Sequence, residues 1–325
     1  MGSLRVVFLG SSSFAVPSLR RVYATQEVVA VVTQPDRPGG RGRRSLSTPV
    51  KVAAGELGLP VHEPDRVRSA RFVTSLRELA PSVLVVVAYG QLLPTSVLEV
   101  APFGCVNVHA SLLPKYRGAA PIQRALWNGE TETGVSVMRL DEGEDTGPVF
   151  AQERLAIGPD ETALELGERL AELGADRLVD VLATLSDRTP VPQDGALATR
   201  APRLSRAMGQ LDWTLPTATL YNRFRACVPW PGSYTYLLDG SRLRVLDCRP
   251  GNGPFAAEPG TVRRGDGALE VRTGDGLLTL RRVQPENRAA MSAEDYANGF
   301  RGRLPERFTW RDDDREGGIA ERCVG

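Results

Sequence analysis

Three short runs of branched apolar residues constrain this chain most: Leu4 to Leu9, Val28 to Val32, and Val83 to Val87, which reads Val-Leu-Val-Val-Val. A strand with one wet face alternates, whereas near-continuous apolar runs belong to strands covered on both faces. Between the runs, Phe14 to Tyr23, Pro49 to Leu57 and Ala70 to Leu79 are helix-compatible, with Thr48 and Ser69 placed to cap the last two. Gly10-Ser11-Ser12-Ser13 supplies small residues where the chain must turn. Alternating β and α over the first hundred residues predicts an α/β fold with a doubly wound, mostly parallel sheet, whose ligands sit beyond the carboxyl ends of the strands.

At 325 residues the chain is long enough for about two domains. Pro121 to Asn128 reads as a helix, Thr133 to Leu140 as an alternating strand, and Glu161 to Leu185 as a long helix capped by Asp160, with Leu166, Leu170, Leu173 and Val181 as its apolar stripe. Ser186 to Ala207 has no period and carries Pro190, Pro192, Gly195 and Pro202, the composition of a semi-extended linker. Beyond it, Tyr234 to Leu238, Leu243 to Leu246, Leu269 to Val271 and Leu277 to Val283 are short strands. Asp239-Gly240, Gly265-Asp266-Gly267 and Gly274-Asp275-Gly276 separate them. This spacing predicts a small antiparallel β-barrel of the OB-like kind. The expected division is a first domain over 1–188, a linker over 189–206 and a second domain over 207–325.

Lys plus Arg number 40 against 39 Asp plus Glu, which excludes a uniformly basic nucleic-acid binder and leaves only local patches. Four cysteines without a C-x-x-C pair, and only His62 and His109, make a His/Cys metal site an unfavoured reading, so no metal is expected. No apolar run reaches the roughly 18 residues of a membrane span, and a soluble cytoplasmic protein with no membrane association is expected.

The chemistry gathers in Gly104 to Gly118. An apolar strand-like run carries Asn107 and His109 two residues apart, hence on one face, and breaks at Pro114 and Gly118. A lone histidine at a strand end is most often a satisfied structural group. Asp145, in the turn-rich acidic stretch Asp141 to Pro148, changes that balance by adding a carboxylate. An amide donor, an imidazole and a carboxylate suit direct acyl transfer to an amine. Asn107 would donate to the oxyanion, a contact whose loss costs about 3 to 4 kcal/mol elsewhere. His109 would shuttle the proton, and Asp145 would orient the imidazole or stabilise the imidazolium.

Asn107-x-His109-x-Ser111-Leu112-Leu113-Pro114-x-Tyr116-x-Gly118, followed by Asp145-Thr146-Gly147, resembles the signature of the 10-formyltetrahydrofolate-dependent formyltransferases. Phe14 to Leu19, Thr33 to Pro38, Ala201 to Ser205, Asp212-Trp213, Pro229-Trp230-Pro231-Gly232 and Met291 to Asp295 extend the likeness from about residue 4 to about residue 304. It is narrowest for the branch that formylates initiator methionyl-tRNA.

The resemblance implies a Rossmann-like first domain of the formyltransferase type and Asn107, His109 and Asp145 as catalytic residues. It implies 10-formyltetrahydrofolate as donor, bound along Ser111, Leu112, Leu113, Pro114 and Leu92, and initiator methionyl-tRNA as acceptor, met by Arg41, Arg43 and Arg44 of a glycine-rich loop. A monomer is expected. Two departures stand out: Ser11-Ser12 replaces a usual Thr-Pro and should loosen its loop, and Glu144 replaces an apolar residue beside Asp145. The alternatives are a formyltransferase acting on a 4-amino sugar nucleotide or other small amine, and a non-catalytic RNA-binding protein.

Overall fold

The computed structural model describes residues 3–39, 44–299 and 304–310, with the side chains of 37–39 and 44–45 left aside. It divides into two compact units, the first formed by residues 1–121, 132–157 and 165–202, the second by 122–131, 158–164 and 203–325.

In the first unit the chain runs β1 (Arg5–Gly10), α1 (Val16–Thr25), β2 (Glu27–Val32), the pair β3 (Arg37–Gly39) and β4 (Arg44–Leu46), α2 (Pro49–Glu56), β5 (Val61–His62), α3 (Ala70–Glu78), β6 (Val83–Val87), α4 (Thr95–Leu98) and β7 (Cys105–His109). The next helix, α5 (Pro121–Trp127), belongs to the second unit from residue 122 on, and the first unit resumes with β8 (Glu132–Arg139), β9 (Val149–Ala156) and most of α6 (Ala163–Ala183). Seven strands form one sheet in the order β5-β2-β1-β6-β7-β8-β9, parallel through β7 and antiparallel thereafter. Thr48 caps α2 through Lys51 N, and Ser69 caps α3 through Phe72 N, as their positions predict.

The apolar runs are buried on both faces. Val6 and Phe8 of β1 enter one core with Val85 and Leu178, while Val7 and Leu9 enter the other with Leu84 and Leu76. β8 departs from the expected alternation, since its six inner residues are all buried. Both of its faces are therefore covered, as in the parallel strands, although its own neighbours in the sheet are antiparallel. The long helix begins at Ala163, so Asp160 is not its cap. That carboxylate instead accepts a 2.5 Å hydrogen bond from the Tyr221 hydroxyl.

The second unit contains α7 (Thr217–Ala226), then β10 (Ser233–Tyr236), β11 (Arg242–Gly251), β12 (Val262–Arg264), β13 (Leu269–Arg272), β14 (Leu277–Pro285), β15 (Met291–Ser292) and α8 (Ala293–Asn298). Its sheet is antiparallel, in the order β10-β11-β14-β13-β12, with β15 paired to β14. The fully buried Trp213 donates to Thr235 Oγ1 at 2.9 Å within a core that includes Phe224, Leu243, Leu280 and Phe308. Among the described residues no helix is long and apolar enough to cross a membrane.

Candidate active site

Asn107 and His109 occupy the carboxyl end of β7, held between β6 and β8 with Asn107 opposite Val86 and Met138, and His109 opposite Ser136. Their exposures are 8% and 6%. Among the described residues the Asn107 carboxamide has no hydrogen-bond partner. The residue is largely buried, yet its amide nitrogen and oxygen keep accessible surface, so the group is open to a ligand. Cys105, on the same face of the strand, supplies no nucleophile, because burial pushes its thiol up to about 12.

His109 Nε2 lies 2.9 Å from the Tyr116 carbonyl oxygen, and Nδ1 lies 3.5 Å from Asp145 Oδ2. A carbonyl can only accept, so Nε2 carries the hydrogen, and Nδ1 presents its lone pair on the Asp145 side. The tautomer is therefore set by Tyr116 backbone. Asp145 stands where a proton taken up by Nδ1 would be stabilised.

Asp145 is held differently. It sits at φ 54° in the left-handed region, and its Oδ2 accepts from Gly118 N at 2.9 Å. Gln193 Nε2 donates to the Asp145 and Gly147 carbonyls at 2.8 and 2.7 Å, while Gln193 Oε1 accepts from Arg117 Nε and Nη2. Gly118 has φ +119°, and a side chain there would meet the Ala201 carbonyl at 2.9 Å. The stretch with linker composition is thus bonded to the site. Thr199 Oγ1 accepts from Tyr116 N, Arg117 N donates to Thr199 O, and Ala201 N donates to Arg117 O.

The loop after β7 is anchored by Ser136 and Gln152. Ser136 Oγ donates to Ser111 O at 2.6 Å and accepts from Leu113 N at 3.0 Å, while Gln152 Nε2 donates to Leu113 O and Ser136 Oγ, both at 2.8 Å. Of the residues expected to hold the donor, Ser111 and Leu113 are buried, and the Ser111 hydroxyl donates to Lys115 O. Leu112 and Pro114 are half-buried, and Leu92 is 84% exposed. The three that keep accessible surface are therefore Leu92, Leu112 and Pro114.

Arg41 and Arg43 lie outside the described residues, and Arg44 is described only as backbone at the start of β4. Ser11 does not loosen its loop. Its hydroxyl donates to Tyr89 O at 3.0 Å and accepts from Gln34 N at 3.1 Å, tying together the chain that leaves β1, β2 and β6. Among the second-unit arginines, Arg249 pairs with Asp247, Arg263 with Glu270, and Arg264 binds Asn298 and the Ala297 carbonyl. Arg242, Arg244, Arg281 and Arg282 are exposed.

Sequence reading missed Ser136, Gln152, Gln193 and Thr199. Ser136 had a usable signal, since it falls opposite His109 once β7 and β8 are paired. Gln193 and Thr199 had none, lying in a stretch without a period.

Residues 4–182 match the formyl transferase family, and residues 203–301 match the formyl transferase C-terminal domain. A methionyl-tRNA formyltransferase of Solibacter usitatus is 49% identical over 301 residues, covering 92% of this chain and 96% of that protein. The structure is also similar to HypX from Aquifex aeolicus in complex with tetrahydrofolic acid, with TM-score 0.65 at 15% identity. That match covers 96% of this chain and 51% of the other, so this chain spans about half the length of that protein. An N-formyltransferase from Helicobacter canadensis, in complex with folinic acid and dTDP-3-aminofucose, has TM-score 0.64 at 16% identity over 87% of this chain and 99% of its own. At such identities the two structures speak to the fold alone.

Proposed function

The chain belongs to the formyl transferase family, and from that premise we propose that it transfers the formyl group of 10-formyltetrahydrofolate to the α-amino group of methionine on initiator tRNA, giving formylmethionyl-tRNA for translation initiation. The acceptor follows from the near half identity to a methionyl-tRNA formyltransferase along nearly its whole length. The observation that carries the chemistry is the accessible Asn107 carboxamide, without a hydrogen-bond partner among the described residues, beside His109 Nδ1 and Asp145 Oδ2, 3.5 Å apart.

The amine nitrogen attacks the formyl carbon, the carbonyl oxygen becomes an oxyanion, and the Asn107 amide donates to it. His109 Nδ1 takes the proton leaving the nitrogen. Asp145, 3.5 Å away, stabilises the imidazolium, and the Tyr116 carbonyl keeps Nε2–H in place. The bond from the formyl carbon to the folate N10 then breaks, and the proton returns to that leaving nitrogen. Leu92, Leu112 and Pro114 offer accessible apolar surface to the donor, while Ser111 and Leu113 hold the loop that bears it.

Arg41, with Arg43 and Arg44, is assigned to the acceptor end of the tRNA, since a guanidinium pairs phosphates and base edges bidentately. Arg41→Leu should lower kcat/KM on charged initiator tRNA at least tenfold. An unchanged value removes Arg41 from the interface. The whole reading is tested by supplying 10-formyltetrahydrofolate with charged initiator tRNA, charged elongator methionine tRNA and a 4-amino sugar nucleotide. Formylation of the first is expected, and formylation of the sugar alone overturns the choice of acceptor.

A further inference from the structure

One cavity is lined by chain neighbours of Asp145 and Gly118 and is not used by the chemistry above. It has a volume of about 290 Å³ and is lined by Arg117, Glu144, Thr146, Ala198, Thr199 and Arg200. Its walls are the chain neighbours of the groups that fix Asp145. Arg117 precedes Gly118, whose amide binds the Asp145 carboxylate, and Glu144 and Thr146 flank Asp145 itself.

The charges in this cavity are arranged at a cost. Arg117 and Arg200 are paired directly in a short parallel bridge, and like charges placed opposite one another on neighbouring strands destabilise. Gln193 holds Arg117 by Nε and Nη2. Among the described residues neither the Arg200 guanidinium nor the Glu144 carboxylate has a hydrogen bond or ion pair, although both line the same cavity. Two cations and one anion leave a single positive charge uncompensated.

A ribose-phosphate has the complementary chemistry. It carries one negative charge on a phosphodiester, which suits the forked donors of two arginines, and hydroxyls that a carboxylate accepts from. On the reading that the acceptor is a charged tRNA, the reacting amine is joined through its ester to the terminal ribose, a few bonds from the last internucleotide phosphate.

We propose that this cavity seats the terminal ribose and the last phosphodiester of the acceptor, with Arg117 and Arg200 on the phosphate and Glu144 on the 2′-hydroxyl. Glu144 is then a specificity residue for the acceptor. The inference rests on the acceptor assigned above.

The test uses the full-length enzyme and charged initiator tRNA in three forms: natural, with an uncharged methylphosphonate at the last internucleotide linkage, and with a terminal 2′-deoxyadenosine. In the wild-type enzyme each modification should lower kcat/KM about tenfold or more, the scale of a hydrogen bond to a charged group. Arg200→Ala should lower activity on natural tRNA and be less sensitive to the methylphosphonate than wild type, the remaining sensitivity coming from Arg117, while Arg200→Lys should recover most of the lost sensitivity. Glu144→Ala should become indifferent to the 2′-deoxy substitution and remain sensitive to the methylphosphonate.

Both side chains are exposed, and unchanged thermal melting shows that truncation leaves the fold intact. Equal sensitivity in wild type and variants overturns the cavity assignment while leaving the acceptor in place. Failure of the wild-type enzyme to formylate natural charged tRNA overturns the acceptor instead.

Discussion

The two halves of the candidate site are held by opposite means. Asn107 and His109 stand on β7, a strand with a neighbour on each side, where backbone bonds and burial fix their positions. Asp145 stands in an irregular loop at a left-handed backbone conformation, and only side-chain and loop contacts keep it there: Gln193 on its carbonyl and Gly118 on its carboxylate. The strand half is held by backbone pairing that no single side chain supplies. The loop half depends on residues that never touch the reacting atoms, so its weak points lie 27 and 48 residues away from Asp145 in sequence.

This contrast is sharpest in substitutions that separate removing a group from displacing one. His109→Ala should remove on the order of 10² to 10⁴ of kcat while folate binding, read by fluorescence titration, is retained. Near-normal turnover would take the proton shuttle away from His109. Gln193→Ala should displace Asp145 and lower kcat on the order of tenfold to a hundredfold, the scale of a misplacement of about 1 Å. Because Gln193 acts through Asp145, its loss in a background already lacking the Asp145 carboxylate should cost almost nothing further. Additive losses in that double variant would give Gln193 a separate role.

Ser136→Ala probes the strand half. It leaves Leu113 N, Ser111 O and the Gln152 amide short of a partner, and should destabilise by roughly 2 kcal/mol, read as a lower denaturant midpoint. A midpoint unchanged from wild type would mean that the loop is held without this hydroxyl.

The smallest effect lies outside the site. Asp275 Oδ1 accepts from Thr217 N at 2.8 Å at the start of α7, and this hydrogen bond holds its carboxyl below the ordinary value of 3.8. A depressed pKa makes the stabilisation fully present above the ordinary value and lost as the pH falls through the lowered one. Asp275→Ala should cost about 1 kcal/mol near neutral pH, a difference that shrinks in denaturation curves taken below pH 4.

Much of the fold was legible because hydrophobic burial writes a local period. The β1, β2 and β6 runs, the Thr48 and Ser69 caps and the Gly/Asp turns of the second unit each lie within a few residues of what they determine. α7 escaped notice because its N-terminal amide is satisfied by Asp275, 58 residues later, and because Arg223 and Arg225 flank its buried Phe224. The segments 122–131 and 158–164, which join the second unit, carry no sequence mark of that membership.

By itself the sequence determined which chemistry was present: an amide and an imidazole on one strand face, a carboxylate in a glycine-bearing loop, and a signature that bound them to one family. Only the tertiary structure decided how those groups are arranged. It gave His109 its tautomer through Tyr116, and it drew a stretch with linker composition against the loops of the candidate site through Gln193, Thr199 and Ala201. It also set Glu144 in a cavity with two arginines. The reason is physical. Apolar periodicity is imposed residue by residue along an element, whereas buried polar groups must be satisfied by whatever the completed fold brings within about 3 Å.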